Sequence, residues 1–107
     1  MAFADPFPGL SKPLNSEDLV RALRLDLAAE EEAVHLYTAH ADATDDADTR
    51  AVLLDIADEE RVHIGELQHV IAALTEGDEE FYRLRGRYEV EKKFPNISYK
   101  AVMAGGK

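Results

Sequence analysis

Cysteine is absent from the 107-residue sequence. Disulfides, iron–sulfur clusters and thiolate zinc sites are therefore excluded, and any metal must be held by oxygen or imidazole ligands. No apolar run approaches the roughly 20 residues that a membrane span needs. The N-terminus also lacks the basic and apolar regions of a signal peptide. We therefore expect a cytoplasmic protein with no membrane partner.

Basic residues are scarce as well. The 12 Lys and Arg residues stand against 22 Asp and Glu residues, which gives a formal net charge of −10. Nucleic acids attract basic patches, so we expect no nucleic-acid partner. The excess of acidic residues is compatible with attracting cations, although many proteins are acidic for the sake of solubility alone. Hydrophobic residues make up 46% of the chain, and a domain this small gains from burying further surface in an oligomer.

Glycine and proline are confined to a few positions, and these divide the chain. Proline and glycine within residues 1–14 predict an extended N-terminal arm. Residues 15–95 form the predicted helical domain, and residues 96–107 form a tail without periodicity. The domain contains helices predicted from about residue 15 or 16 to 43, from 47 to 74 and from 78 to 93. The expected fold is all-α, an antiparallel two-helix hairpin followed by a C-terminal helix.

The polar residues Glu30, Glu60 and His63 interrupt the apolar stripes of the first two helices. Each stripe is defined by alternating steps of four and three residues along its helix. Glu and His are costly to bury unless something satisfies them. In an antiparallel hairpin whose turn is centred near residue 46, the three residues lie on one layer, which indicates a single polar centre. The stripes are Leu23, Leu27, Glu30, Val34, Tyr37 and Ala41 on the first helix, and Leu53, Ile56, Glu60, His63, Leu67, Val70 and Leu74 on the second.

The spacing of the polar residues is typical of a di-iron carboxylate site. Glu60 and His63 are three residues apart and so share one helix face. A complete site uses two single Glu residues and two Glu-x-x-His pairs on four helices. This chain has one of each, with Glu30 as the single Glu, so we predict that two copies dimerise into a four-helix bundle. Iron suits this ligand set, and so does manganese. Tyr37 shares the face of Glu30, although such a tyrosine is more often part of a core.

Two segments, residues 30–37 and 58–63, resemble the encapsulated ferritin-like proteins, short ferritin relatives held inside encapsulin shells or fused to them. The resemblance covers roughly residues 12–75. It implies a ferroxidase that oxidises Fe(II) to Fe(III) at a di-iron centre between subunits, for iron storage or detoxification. It further implies dimers arranged in a ring-shaped decamer, and an encapsulin shell protein as partner, which would put the chain in the nanocompartment lumen.

The resemblance also assigns roles to individual residues. It implies metal ligation by Glu30, Glu60 and His63, a supporting catalytic role for Tyr37, and a more exposed metal-binding role for Glu32. The sequence departs from the family pattern in three places: Leu36 replaces an aromatic residue, Ala29 replaces a second exposed carboxylate, and the tail is not an obvious shell-docking peptide.

Two alternatives remain open from the sequence. The same metals could serve a rubrerythrin-type peroxidase that uses peroxide as its oxidant. Alternatively, the chain could be a metal-free helical adaptor or assembly protein, in which the three polar residues form a buried layer that fixes the register of a dimer.

Overall fold

The computed structural model describes residues 13–98, which form three helices and no strand. Helices α1 (Ser16–Ala43) and α2 (Ala47–Leu74) each have 28 residues and pack as an antiparallel hairpin, and α3 (Asp78–Lys93) follows. The all-α prediction is therefore confirmed. Most of the predicted arm and tail lies outside the described residues. None of the helices in the described part is long and apolar enough to cross a bilayer.

Helix α1 begins where the sequence offers a capping side chain. The Asn15 side chain accepts a hydrogen bond of 2.8 Å from the backbone N–H of Asp18. This bond satisfies one of the N–H groups that the first turn of a helix leaves without a partner. Glu17 and Asp18 add negative charge in that turn, where the helix dipole favours it.

The three-residue turn between α1 and α2 is closed by side chains from both of its sides. Asp46 accepts hydrogen bonds from the Thr49 backbone N–H at 3.0 Å and from the Thr49 hydroxyl, which caps α2. Arg50 reaches back from α2 and donates to the Ala41 carbonyl at 3.0 Å and to the Thr44 carbonyl. Because the last carbonyls of a helix have no partner within it, these bonds fasten the end of α1 to the start of α2.

The core of the hairpin is a narrow line of contact. Buried apolar side chains in the described chain are Val20 and Ala41 on α1, and Ala57 and Ile71 on α2. Each pair is separated by a multiple of seven residues, the spacing with which helices meet along a seam. Of these four, only Ala41 belongs to the predicted stripes. Val20, Ala57 and Ile71 lie outside them, and Val70, which the stripe included, is exposed. A pair of helices buries only the line where they touch, so the rest of each stripe stays half open.

Helix α3 leaves the hairpin at a left-handed turn. Glu76 and Gly77 have φ values of 54° and 86°, and the Gly77 N–H donates to the Ala72 carbonyl at 2.9 Å. This arrangement is a common way to end a helix. An ion pair of 2.6 Å between Arg24 and Glu79 joins the start of α3 to α1. No residue of α3 is buried, so this helix adds little to the core.

Replacing Asp46 with alanine should lower the melting temperature, because α2 loses its cap and the turn loses its closure. The Thr49 hydroxyl and backbone N–H, both donating to the carboxylate, hold the pKa of Asp46 below its usual value. A lowered folded-state pKa gives stabilisation that is present above the unfolded-state pKa and is lost as the pH falls through the folded-state pKa. In circular dichroism melts, the melting temperature of Asp46→Ala should lie clearly below that of the wild type at neutral pH. The two melting temperatures should be equal in strong acid. Equal melting temperatures at neutral pH would contradict this role.

Candidate metal centre

The hairpin brings together the three side chains that interrupt its stripes. Glu30 lies at the middle of α1, and Glu60 and His63 lie at the middle of α2. Nδ1 of His63 is 3.4 Å from Oε2 of Glu60 and 3.6 Å from Oε1 of Glu30. Each residue offers one ligand atom, and these atoms all lie within 4.8 Å of one another. The predicted convergence on one layer is thus present in the geometry.

The 3.4 Å separation of His63 Nδ1 and Glu60 Oε2 is that of a long hydrogen bond, and the separations in this group also match ligand atoms around one metal ion. Ligand atoms about 2.1 Å from a first-row metal lie roughly 3.0 Å apart at right angles and about 4.2 Å apart when opposed. The observed distances of 3.4 Å and 3.6 Å fall inside that range, and the 4.8 Å limit exceeds it only slightly. A hydrogen bond between nitrogen and oxygen is usually about 2.9 Å long. The donor set of two carboxylates and one imidazole also matches iron or manganese.

The centre is open on one side of the hairpin. The side chains of Glu60, Glu30 and His63 are 19%, 27% and 47% exposed, so none of them is buried within the single chain. Their positions in the apolar stripes had predicted that all three lie in the core. The difference arises because a two-helix hairpin has no interior away from its line of contact. Ligand atoms that face outward in this way are accessible to a metal ion and to a second protein surface.

The structure does not bring the two remaining predicted residues into the group of ligand atoms. Tyr37 is half-buried and lies seven residues beyond Glu30, a rise of about 10 Å along the helix. Glu32 is also half-buried, and residues two apart on a helix do not face each other. Tyr37 therefore follows the ligands along α1, and Glu32 points to a different surface.

A shallow depression beside the ligands contains two carboxylates that the sequence analysis missed. Asp26 and Glu66 line it together with Glu30 and His63. Asp26 precedes Glu30 by four residues and Glu66 follows His63 by three, so helical spacing could have identified them. The other lining residues are Ala29, Ala33 and Leu67.

An all-α hairpin that carries a converging set of Glu, Glu and His belongs to the ferritin-like class of helical metal proteins. The family model described as Rubrerythrin matches residues 21–102. The chain therefore belongs to the rubrerythrin family.

Comparisons with known proteins agree with this assignment. The chain is 40% identical over 75 residues to the encapsulin nanocompartment cargo protein EncC of Myxococcus xanthus, an alignment covering 69% of this chain and 58% of that protein. It is 36% identical over 86 residues to a ferritin-like-encapsulin shell fusion protein of Pyrococcus furiosus, covering 80% of this chain and 24% of that protein. The chain thus spans less than two thirds of the length of either relative.

A solved structure extends the likeness to three dimensions. The encapsulated ferritin domain from Pyrococcus furiosus aligns with a TM-score of 0.76 and 32% sequence identity. The alignment covers 92% of this chain and 99% of that domain. The resemblance drawn from the two sequence segments, residues 30–37 and 58–63, is therefore confirmed at the level of family and fold.

Mn(II), used in place of oxidisable Fe(II), should raise the melting temperature of the wild type. A ligand that binds only the folded state stabilises it, by about 2.7 kcal/mol at a hundred times its dissociation constant. The Glu60→Ala variant should lose this rise, whereas Glu59→Ala should keep it, because Glu59 is an exposed neighbour outside the donor group. An equal rise in all three proteins would contradict metal binding at this centre.

Proposed function

We propose that the protein is a ferroxidase that oxidises Fe(II) to Fe(III) at a di-iron centre shared by two copies of the chain, in the service of iron storage or detoxification. The observation that carries this proposal is the convergence of Glu30, Glu60 and His63 on one layer, with ligand atoms within 4.8 Å of one another. Membership of the rubrerythrin family supports an iron-related role for that layer.

The ligand count supports a two-chain site. One chain offers a single Glu and one Glu-x-x-His pair, which is half of the set that di-iron bundles use. A two-fold axis beside the open face of the hairpin would supply the other half. Glu30, Glu60 and His63 of both chains would then hold the two iron ions.

The surface of the hairpin also supports a second copy. Apolar side chains remain exposed along both helices, which is costly for a protein that stays alone in water. The Cα radius of gyration is 17.4 Å, against about 13 Å for a compact domain of 100 residues. Packing two hairpins together would bury apolar surface that the single chain leaves open. Of the exposed apolar residues of the hairpin, Val52 and Val70 share the helix face of His63, whereas Leu36, Leu54 and Val62 lie on other faces.

The reaction that this centre would support treats Fe(II) as its substrate. Molecular oxygen takes one electron from each of two Fe(II) ions and binds two protons, which gives two Fe(III) ions and one hydrogen peroxide. The carboxylates of Glu30 and Glu60 would stabilise the higher positive charge of the product ions, because opposite charges attract strongly where water is excluded. Half-buried Leu27, Ile56 and Leu67 flank the ligands on the two helices and would limit the access of water.

The names of the relatives suggest a location for this activity. One is an encapsulin nanocompartment cargo protein, and the other is fused to an encapsulin shell. We propose that this chain likewise associates with an encapsulin shell protein and works in the lumen of the compartment. The arrangement of dimers in a ring-shaped decamer, the contribution of Tyr37 to catalysis and metal binding at Glu32 are parts of the same proposal.

Glu60→Ala should abolish most of the oxidation of Fe(II), followed by the absorbance of Fe(III) after anaerobic protein is mixed with oxygenated buffer. The variant loses one of the carboxylates that would hold the iron, so we expect the initial rate to fall at least tenfold towards the protein-free rate. The matched control is Glu59→Ala, which removes an exposed carboxylate from the adjacent position. Circular dichroism should show the same helix content in all three proteins. Equal oxidation rates in wild type and Glu60→Ala would contradict the proposal.

A peroxidase is the second candidate, because the matching family model is named after rubrerythrin. In that reaction hydrogen peroxide takes one electron from each of two Fe(II) ions and binds two protons, which gives two Fe(III) ions and two molecules of water. Reoxidation of anaerobic Fe(II)-loaded protein by oxygen and by peroxide, at equal concentrations, separates the two activities. Faster reaction with oxygen supports the ferroxidase, and reaction with peroxide alone supports the peroxidase. A folded dimer that takes up neither iron nor manganese would favour the metal-free adaptor instead.

A further inference from the structure

We infer that α3 joins neighbouring dimers by docking on α2 of a second copy of the chain. This contact is additional to the one at the metal centre, and it rests on the proposed function in that the copies are already paired there. The docking face of α3 consists of Phe81, Leu84, Tyr88, Lys92 and Lys93. The outer face of α2, which receives it, consists of Asp48, Asp55 and Val62.

Helix α3 projects from the hairpin. The described chain measures 46 × 40 × 19 Å. A hairpin of two 28-residue helices is about 42 Å long, and its two axes lie only about 8–10 Å apart. Such a hairpin accounts for the extents of 46 Å and 19 Å but not for that of 40 Å. Helix α3 and the residues after it therefore extend sideways, and no residue of α3 is buried.

Only one side of α3 faces its own hairpin. Glu79 forms an ion pair of 2.6 Å with Arg24 of α1, and Arg83 borders a depression that α1 and α2 also line. At about 100° per residue, Phe81 and Tyr88 lie about 160° and 140° around α3 from Arg83. The docking face therefore points away from the hairpin, and no described residue of the same chain covers it.

The docking face is apolar at its start and basic at its end. Phe81, Leu84 and Tyr88 are 56%, 44% and 63% exposed, and they line one shallow groove with Lys92 and Lys93. Neither lysine forms an ion pair with a residue in the range 13–98. Exposed apolar patches with a polar rim mark surfaces that bind other proteins. The remaining lining residues are Arg85 and Glu89, which pair with each other.

The distribution of charge identifies another copy of the chain as the partner. Residues 81–93 of α3 include five basic and two acidic residues, a formal charge of +3. Residues 16–74 of the hairpin include four basic and 15 acidic residues, a formal charge of −11. Complementary charge of this kind selects partners and fixes their register. Because the two surfaces differ, the contact is heterologous, and repeating it joins dimers in succession into a ring or a filament.

The outer face of α2 offers the complementary pattern. Val62 is 62% exposed and lies nine residues before buried Ile71, about half a turn around the helix, so it faces away from α1. Asp55 and Asp48 continue this face at intervals of seven residues. Both are exposed, and neither forms an ion pair within the described part of the chain. Val62 is about 100° around α2 from His63, so the outer face is distinct from the face of the metal centre.

Antiparallel docking matches the two faces along their length. With Leu84 placed on Val62, Lys92 lies eight residues further along α3, a rise of about 12 Å, and Asp55 lies seven residues back along α2, a rise of about 10 Å. Apolar side chains then meet each other, and the lysine meets the aspartate. Parallel docking would instead bring Lys92 to His69, which carries no negative charge.

The test is sedimentation velocity of the full chain and of the variants Lys92→Glu, Asp55→Lys and Lys92→Glu/Asp55→Lys. Each single variant puts like charges opposite each other, so the concentration at which half of the dimers assemble further should rise about tenfold at low salt. The combined variant restores an opposite pair and should return to within about threefold of the wild type. The matched control, Asp42→Lys, makes the same change of charge at an exposed position on α1 and should assemble like the wild type. Circular dichroism should show the same helix content in all five proteins.

The rise in melting temperature with Mn(II), measured on the same samples, separates this inference from the proposed function. A wild type that keeps this rise but stays a dimer would overturn the docking of α3 alone. Single variants that assemble like Asp42→Lys would also overturn it, and so would a combined variant that assembles as poorly as the single ones. Assembly that depends on the Lys92 and Asp55 pair in a protein without the Mn(II) effect would support the docking and contradict the proposed function.

Discussion

The register of the hairpin is the constraint on which the candidate metal centre depends. It is set at the turn, where Arg50 donates to carbonyls at the end of α1 and Asp46 caps the start of α2. Glu30 lies 14 residues before Thr44 and so is far from the turn. Its carboxylate is nevertheless close to His63, because two stiff helices keep the register set at the turn as far as the middle of the hairpin. A slip of one residue would rotate each ligand by about 100° relative to its partner helix.

A hairpin of two helices cannot enclose the site that it aligns. Its buried side chains form one line, from Val20 and Ile71 at one end of the hairpin, past Ala57, to Ala41 near the turn, and everything beside that line remains partly open. The exposed His63 ring and the exposed apolar residues of both helices have this same origin. In the proposed two-chain site, a second copy would supply the other half of the ligands and cover the open face of the hairpin. The metal centre and the dimer interface would then be a single feature of the molecule.

The sequence predicted much of the fold because its local signals agree. Asn15 caps α1, Gly77 follows α2, and the helices between them contain neither proline nor an unfavourable run of residues. The convergence of Glu30, Glu60 and His63 was also predictable, since helical spacing and the length of the turn determine their heights. The degree of burial was not, because amphipathic stripes look the same whether a partner helix comes from the same chain or from another. Asp26 was missed because an exposed acid on a helix looks like ordinary surface.

Native mass spectrometry of the protein loaded anaerobically with Fe(II) tests most directly whether each chain holds half of a shared site. If it does, iron should appear on dimers and their multiples at two ions for each pair of chains, and monomers should carry none. Glu60→Ala should form the same assemblies without bound iron. Monomers that hold iron as firmly as the dimers do would contradict the shared site, and so would dimers whose iron survives the loss of Glu60.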